Sequence, residues 1–167
     1  MGYRILRLII QAASHVLRSN AKSMNKLSQR SEKHLSTCHK DLRLVVRDSL
    51  EIIDFSVLEG HRGARDQNEY FQKGLSKVRW PDSLHNEYPS EAIHLAPYPV
   101  LWPRGVKDPT EKMKRYARFY YLAGIVITVG HRLGIQVKFG GDWNRKHRFD
   151  DQTFDDLMHY ELVKKPS

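Results

Sequence analysis

The spacing of apolar residues predicts a few helices, with strands scattered among long loops. Residues 39–54 carry apolar side chains at helical spacing. Residues 108–134 begin with an Asp-Pro pair and end at a glycine, as helices commonly do. A third helix is predicted over residues 64–74, and four short runs are interpreted as strands: 55–59, 92–98, 135–141 and 157–163. This order predicts an α+β fold in which a small, mostly antiparallel sheet packs against helices.

Strand alternation turns two histidines away from the core. In the second predicted strand, Ile93 and Leu95 share the core face, so His94 lies on the opposite face. In the last predicted strand, Tyr160 lies on the core face and His159 on the other. Alanines on both sides of His94 leave room beside its ring. The sheet therefore presents imidazoles on a face that is not used for packing.

Length and charge restrict the class of protein. The chain has 167 residues, which is enough for one domain with a substantial core. Its net charge of +9 and pI of about 9.7 favour an anionic partner: a nucleic acid, a membrane surface or an acidic cell-wall polymer. Cys38 is the only cysteine, so we expect a free, buried thiol in a chain that folds in a reducing cytoplasm. The longest apolar run, residues 116–130, is too short for a transmembrane helix and contains Arg118.

The N-terminal residues differ in character from the rest. Residues 1–23 are predicted to form a basic amphipathic extension, which would either contact an anionic membrane surface or be only a packing or poorly ordered extension. Met24 opens a stretch that would itself be a natural start. Residues 24–167 are therefore predicted to form the functional domain.

Three histidines suggest a metal site. His85 lies on a predicted loop, whereas His94 and His159 lie on strands; three protein ligands with one open position are the pattern of catalytic zinc. Asp156 stands three residues before His159, where a general base would be close to the metal, and Arg62 could face a developing oxyanion. Nine histidines allow many such triplets, and a hydrogen-bonded histidine without metal is the commoner case. The residues alone therefore leave both interpretations open.

Four blocks of sequence resemble a known family: "VLEGHRGARDQNEYFQKGLSK", "SLHNEYPSEAIHLAPYP", "GGDW" and "DDLMHYEL". In this order they resemble the VanY-like D-alanyl-D-alanine and L-alanyl-D-glutamate metallopeptidases, which include bacteriophage endolysins. The resemblance covers residues 24–165. It implies a zinc peptidase domain with the metal site at the sheet face.

The resemblance assigns a role to each matching residue. It implies that Zn²⁺ is bound by His85, position 94 and His159, that Asp156 is the general base, and that Arg62 stabilises the tetrahedral intermediate. Glu161, on the same strand face as His159, is interpreted as orienting that histidine. Four further residues are implied to bind or border the substrate: Gln67, Ser83, Asp142 and Trp143.

Position 94 departs from the family pattern, which has aspartate where this chain has His94. One consequence would be a three-histidine zinc site with neutral ligands. The other would be a ring that fits badly and a protein that has lost its metal. We expect ligation, because small neighbours leave space and nitrogen ligands suit zinc.

The resemblance implies a peptidase that cleaves peptidoglycan stem peptides. We expect a monomeric phage endolysin that is made in the host cytoplasm and acts on the cell wall, in the periplasm or from outside. Either an L-Ala–D-Glu endopeptidase or a D-Ala–D-Ala carboxypeptidase is compatible with these ligands. A catalytically impaired cell-wall binding module is the alternative. No nucleic-acid partner is expected, since no binding motif accompanies the dispersed lysines and arginines.

Overall fold

The computed structural model describes residues 25–163. The predicted extension, residues 1–23, lies outside the described residues. Within the described part, four α-helices, one short 3₁₀ helix and four strands follow one another. The helices are α1 Gln29–Ser36, α2 Lys40–Leu50, α3 Ala64–Gln72 and α4 Pro109–Leu133, with the 3₁₀ turn at Leu84–Asn86. The strands are β1 Phe55–Glu59, β2 Ala92–Pro97, β3 Val137–Phe139 and β4 His159–Leu162.

The strands form a single antiparallel sheet in the order β1-β2-β4-β3. Strand β2 is central and pairs with β1 on one side and β4 on the other. In the β2–β4 pair, Ile93 stands opposite Tyr160 and His94 opposite His159. Directly opposed residues of an antiparallel pair lie on the same face, so both histidines share the face predicted for them. The α+β class and the small antiparallel sheet are confirmed.

The core lies between the sheet and the long helix α4. Asp108 caps this helix by accepting the backbone N–H of Thr110, Pro109 occupies its first position, and Gly134 ends it with a φ of 73°. Burying one face of α4 against β2, β3 and α2 removes a continuous apolar stripe from water. The buried residues of this stripe are Phe119, Leu122, Ala123, Val126 and Val129.

Several boundaries differ from the sequence predictions. Helix α2 ends at Leu50 rather than 54, and β3 spans three residues of the seven predicted. Helix α1 was not predicted, because Leu35 is its only apolar residue and one residue cannot show a repeat of apolar positions. Cys38 is a free, buried thiol as expected, and burial raises its pKa to about 11. None of the helices in the described part is long and apolar enough to span a bilayer.

Candidate metal centre

The three predicted histidines meet on one face of the sheet. His94 and His159 project side by side from β2 and β4, and their ring centroids are 5.4 Å apart. His85 reaches them from the 3₁₀ turn, with its centroid 4.4 Å from that of His94 and 5.2 Å from that of His159. Two hydrogen bonds stabilise this turn. The Ser83 hydroxyl accepts the backbone N–H of His85, and the Asn86 side-chain oxygen accepts the backbone N–H of Ser83.

The inward ring nitrogens have the spacing of zinc ligands. His159 Nδ1 lies 3.3 Å from His85 Nε2 and 3.3 Å from His94 Nε2, and one nitrogen from each ring lies within 4.8 Å of the others. Two nitrogens bound tetrahedrally at about 2.0–2.1 Å from zinc are separated by about 3.3 Å. Two of the three nitrogen pairs therefore have the separation of zinc ligands, and the three side chains could hold a metal ion.

The outward ring nitrogens all face oxygen atoms. His85 Nδ1 lies 2.7 Å from the carbonyl oxygen of Gly60, and His159 Nε2 lies 2.8 Å from Glu161 Oε2. His94 Nδ1 lies 3.3 Å from Glu59 Oε2. Oxygen acceptors favour ring protons on the outward nitrogens, which leaves the lone pairs of the inward nitrogens available to a metal. Converging lone pairs repel one another unless a cation lies between them, and this arrangement fits a metal.

Burial keeps two of these imidazoles neutral. Desolvation lowers the pKa of His85 and of His94 well below the ordinary histidine value, and the neighbouring histidines and Arg62 lower both further. A metal-binding imidazole must be neutral. These two side chains are therefore in the protonation state that metal binding requires at physiological pH.

Asp156 lies beside the histidine cluster. Its Oδ2 atom is 3.7 Å from His94 Nε2, and its Oδ1 accepts the backbone N–H of Met158 at 3.4 Å. Burial raises the pKa of Asp156, although His159 and Arg62 partly oppose the shift. A carboxylate with a raised pKa beside three candidate metal ligands could act as a general base.

Gly140 allows the close approach of the segment that carries both Asp156 and His159. The Asp156 N–H donates to the Gly140 carbonyl at 2.9 Å, and the Gly140 N–H donates to the His159 carbonyl at 2.9 Å. A side chain at position 140 would collide with the Asp156 carbonyl oxygen and lie 3.0 Å from His159 Cβ. The first glycine of the "GGDW" block is therefore required because no side chain fits between it and the segment that carries Asp156 and His159.

Arg62 is held by neighbours on two sides. Its Nε donates to Glu59 Oε1 at 3.0 Å, its Nη2 contacts Glu59 Oε2, and its Nη1 donates to Gln67 Oε1 at 3.0 Å. The guanidinium also stacks over the Tyr70 ring at 4.5 Å. Gln67 is completely buried and donates to the Val78 carbonyl and the Ser76 hydroxyl. Any effect of Gln67 on substrate would therefore act through Arg62.

The two residues proposed at the cleft border lie in different surroundings. Both carboxylate oxygens of Asp142 accept backbone N–H groups of its own loop, from Lys146 and His147, each at 3.0 Å. Trp143 packs against His159 with ring centroids 5.2 Å apart, and its indole N–H donates to the Phe154 carbonyl. Asp142 thus shapes the loop, while Trp143 packs beside the histidine cluster.

Sequence reasoning missed Glu59 because of a β-bulge. Strict alternation in β1 would place Glu59 on the core face with Phe55 and Val57, both of which are buried. The register instead shifts between Val57 and Glu59, so that Glu59 stands opposite His94. The sequence offers one indication of this bulge: Gly60 follows Glu59 at the end of the strand, and glycine often marks such irregularities.

Comparison with known proteins relates this chain to L-alanyl-D-glutamate peptidases. The family model described as phage L-alanyl-D-glutamate peptidase matches residues 23–163. An L-alanyl-D-glutamate peptidase of Escherichia phage T5 is 30% identical over 144 residues, which cover 83% of this chain and 98% of the relative. The crystal structure of the Serratia marcescens L-Ala D-Glu endopeptidase ChiX has a TM-score of 0.63 and 26% identity, covering 86% of this chain and 93% of that one.

Proposed function

Because the chain belongs to the phage L-alanyl-D-glutamate peptidase family, we propose that it is a zinc-dependent endopeptidase that hydrolyses the L-Ala–D-Glu bond of peptidoglycan stem peptides. One observation carries the metal part of the proposal. Three ring nitrogens converge at ligand spacing while their outward partners keep the protons away from the centre. D-Ala–D-Ala cleavage, which the VanY-like part of the resemblance allowed, stays an untested prediction.

The surrounding residues suit a hydrolytic mechanism. Zinc held by His85, His94 and His159 would supply Lewis-acid chemistry to the scissile carbonyl and to a water molecule. Asp156 takes the proton of the attacking water and passes it to the leaving amine. Arg62 contributes a fixed positive charge for the oxyanion, and the clamp of Glu59 and Gln67 means that no reorientation is needed during the reaction.

The surface charge and the family suggest the setting of this activity. A net charge of +9 attracts the protein to an anionic cell envelope, with an attraction that weakens as salt is added. We propose a monomeric phage lytic enzyme that is synthesised in the host cytoplasm and works on the cell wall. The alternative of a binding module without catalysis depends on whether His94 supports metal binding.

Metal analysis separates these two functions. We expect the purified protein to carry about one zinc ion per chain, since residues 25–163 offer one three-ligand site. Chelation should abolish peptidase activity, and added zinc should restore it. The measurement is elemental analysis alongside turnover. Failure to take up zinc even after reconstitution would contradict the enzyme proposal and favour the binding module.

We propose that residues 24–167 contain the whole functional domain. A chain starting at Met24 should fold and digest isolated peptidoglycan like the full chain, because the described residues contain a hydrophobic core of their own and all candidate site residues lie downstream. Circular dichroism and digestion assays check this expectation. Loss of folding would show that residues 1–23 belong to the core, whereas loss of activity on intact cells alone would support a membrane-surface role.

A further inference from the structure

Glu59 joins the metal ligand His94 to Arg62. The bulge in β1 brings its carboxylate onto the sheet face that carries His94, and the side chain is 17% exposed. One oxygen, Oε2, lies 3.3 Å from His94 Nδ1 and also contacts Arg62 Nη2, while Oε1 accepts from Arg62 Nε. A single carboxylate is therefore shared between the ligand and the cation proposed to face the oxyanion.

The same arrangement occurs on the other side of the site. Glu161 accepts from His159 Nε2 at 2.8 Å and also pairs with Lys138. His159 and His94 thus each have a carboxylate behind the ring and a cation behind the carboxylate. His85 has a backbone carbonyl in the corresponding place. Carboxylates behind metal-binding imidazoles fix the tautomer and increase the basicity of the ligating nitrogen.

The role of Glu59 depends on the identity of residue 94. A histidine there has an outward N–H that can donate to Glu59, and the carboxylate supplies negative charge that the neutral ring lacks. An aspartate at position 94 would have no proton to donate and would repel Glu59. The carboxylate is therefore matched to the histidine ligand of this chain.

We propose that Glu59 is the positioning residue of this centre: it accepts the Nδ1 proton of His94, directs Nε2 to the metal, and holds Arg62 beside the same site. The inference rests on the proposed metal-dependent function. Glu59 makes no contact with substrate in this account. It sets the tautomer and orientation of one ligand and the position of one cation.

Zinc affinity measured in a double-mutant cycle tests this role independently of catalysis. Metal-free protein is titrated with zinc in competition with a chelating dye. Glu59→Gln should weaken zinc binding by about 10- to 100-fold in the native chain. In a His94→Asp chain, the same change should leave zinc binding unchanged or strengthen it, because a repulsion is removed. Glu69→Gln, which removes an exposed partner of Lys73, is the matched control and should have no effect.

The outcomes are distinct. If Glu59→Gln weakens zinc binding equally in the native and His94→Asp chains, Glu59 has only a general structural role and the inference is overturned. Unchanged zinc affinity in the native chain would also overturn it. A native chain that binds no zinc would overturn the proposed function as well. If Glu59→Gln does not fold, nitrogen-15 NMR of the zinc-loaded native protein decides. A proton on His94 Nδ1 is expected, and a proton on Nε2 would overturn the inference.

Discussion

Replacing Asp156 with asparagine is expected to lower kcat by about 10²- to 10⁴-fold, the range for loss of a general base. The amide keeps the size of the side chain but cannot accept the proton of the attacking water. Zinc should remain bound, because the three ligand nitrogens belong to other residues. Turnover of a stem peptide, measured together with zinc content, separates loss of the base from loss of the metal.

The pH dependence of kcat/KM provides a second readout for Asp156. Burial raises the pKa of the Asp156 carboxyl in the metal-free chain, whereas the charge of a bound zinc ion would act in the opposite direction. Activity should be lost on acidification as this carboxyl becomes protonated. In Asp156→Asn this acidic limb should disappear. Asp155→Asn, which changes the exposed neighbouring carboxylate, is the matched control and should behave like the native chain. Near-native turnover of Asp156→Asn would show that another group, with Glu161 as first candidate, is the base.

Replacing His94 with alanine is expected to weaken zinc binding by more than about 100-fold, the upper range for loss of an outer partner alone, and to abolish turnover. The change removes one of three ligands and leaves the lone pairs of His85 and His159 without their third partner. His94→Asp should retain both zinc and turnover, because a carboxylate oxygen also binds zinc at about 2.0–2.2 Å. Its pH optimum should move upward, since an anionic ligand reduces the positive charge of the centre.

A control and a contrary result complete this test. His131→Ala removes an exposed imidazole near the end of α4 and should change neither zinc affinity nor turnover. If His94→Ala still binds zinc with native affinity, His94 is not a ligand. A structure with zinc present and the His94 ring turned away from it would lead to the same conclusion.

Much of the scaffold could be predicted from local sequence. The start of α4 at Pro109 and its end before Gly134 follow from capping chemistry that involves only adjacent residues. The shared face of His94 and His159 follows from strand parity, because Ile93 and Tyr160 are buried on the other side. The alternation of apolar and polar residues predicts the direction of each side chain well where one face of a strand is apolar.

The rest of the site depends on contacts between distant segments. Position 59 illustrates this limit, because a register shift against β2 determines the direction of its side chain and leaves only a weak local signal. The approach of His85 depends on a 3₁₀ turn and on the carbonyl of Gly60, 25 residues away. Gln67 was expected near substrate, yet packing places it in the interior behind Arg62. Local patterns cannot encode such long-range partners.

Product analysis of peptidoglycan digestion tests the central claim most directly. Purified peptidoglycan is incubated with the native chain, with a chelated sample and with a zinc-restored sample, and the new termini are identified by mass spectrometry. The account predicts new carboxyl termini on L-Ala and new amino termini on D-Glu, absent after chelation and restored by zinc. Release of terminal D-Ala, cleavage that persists without metal, or no cleavage in any sample would contradict it.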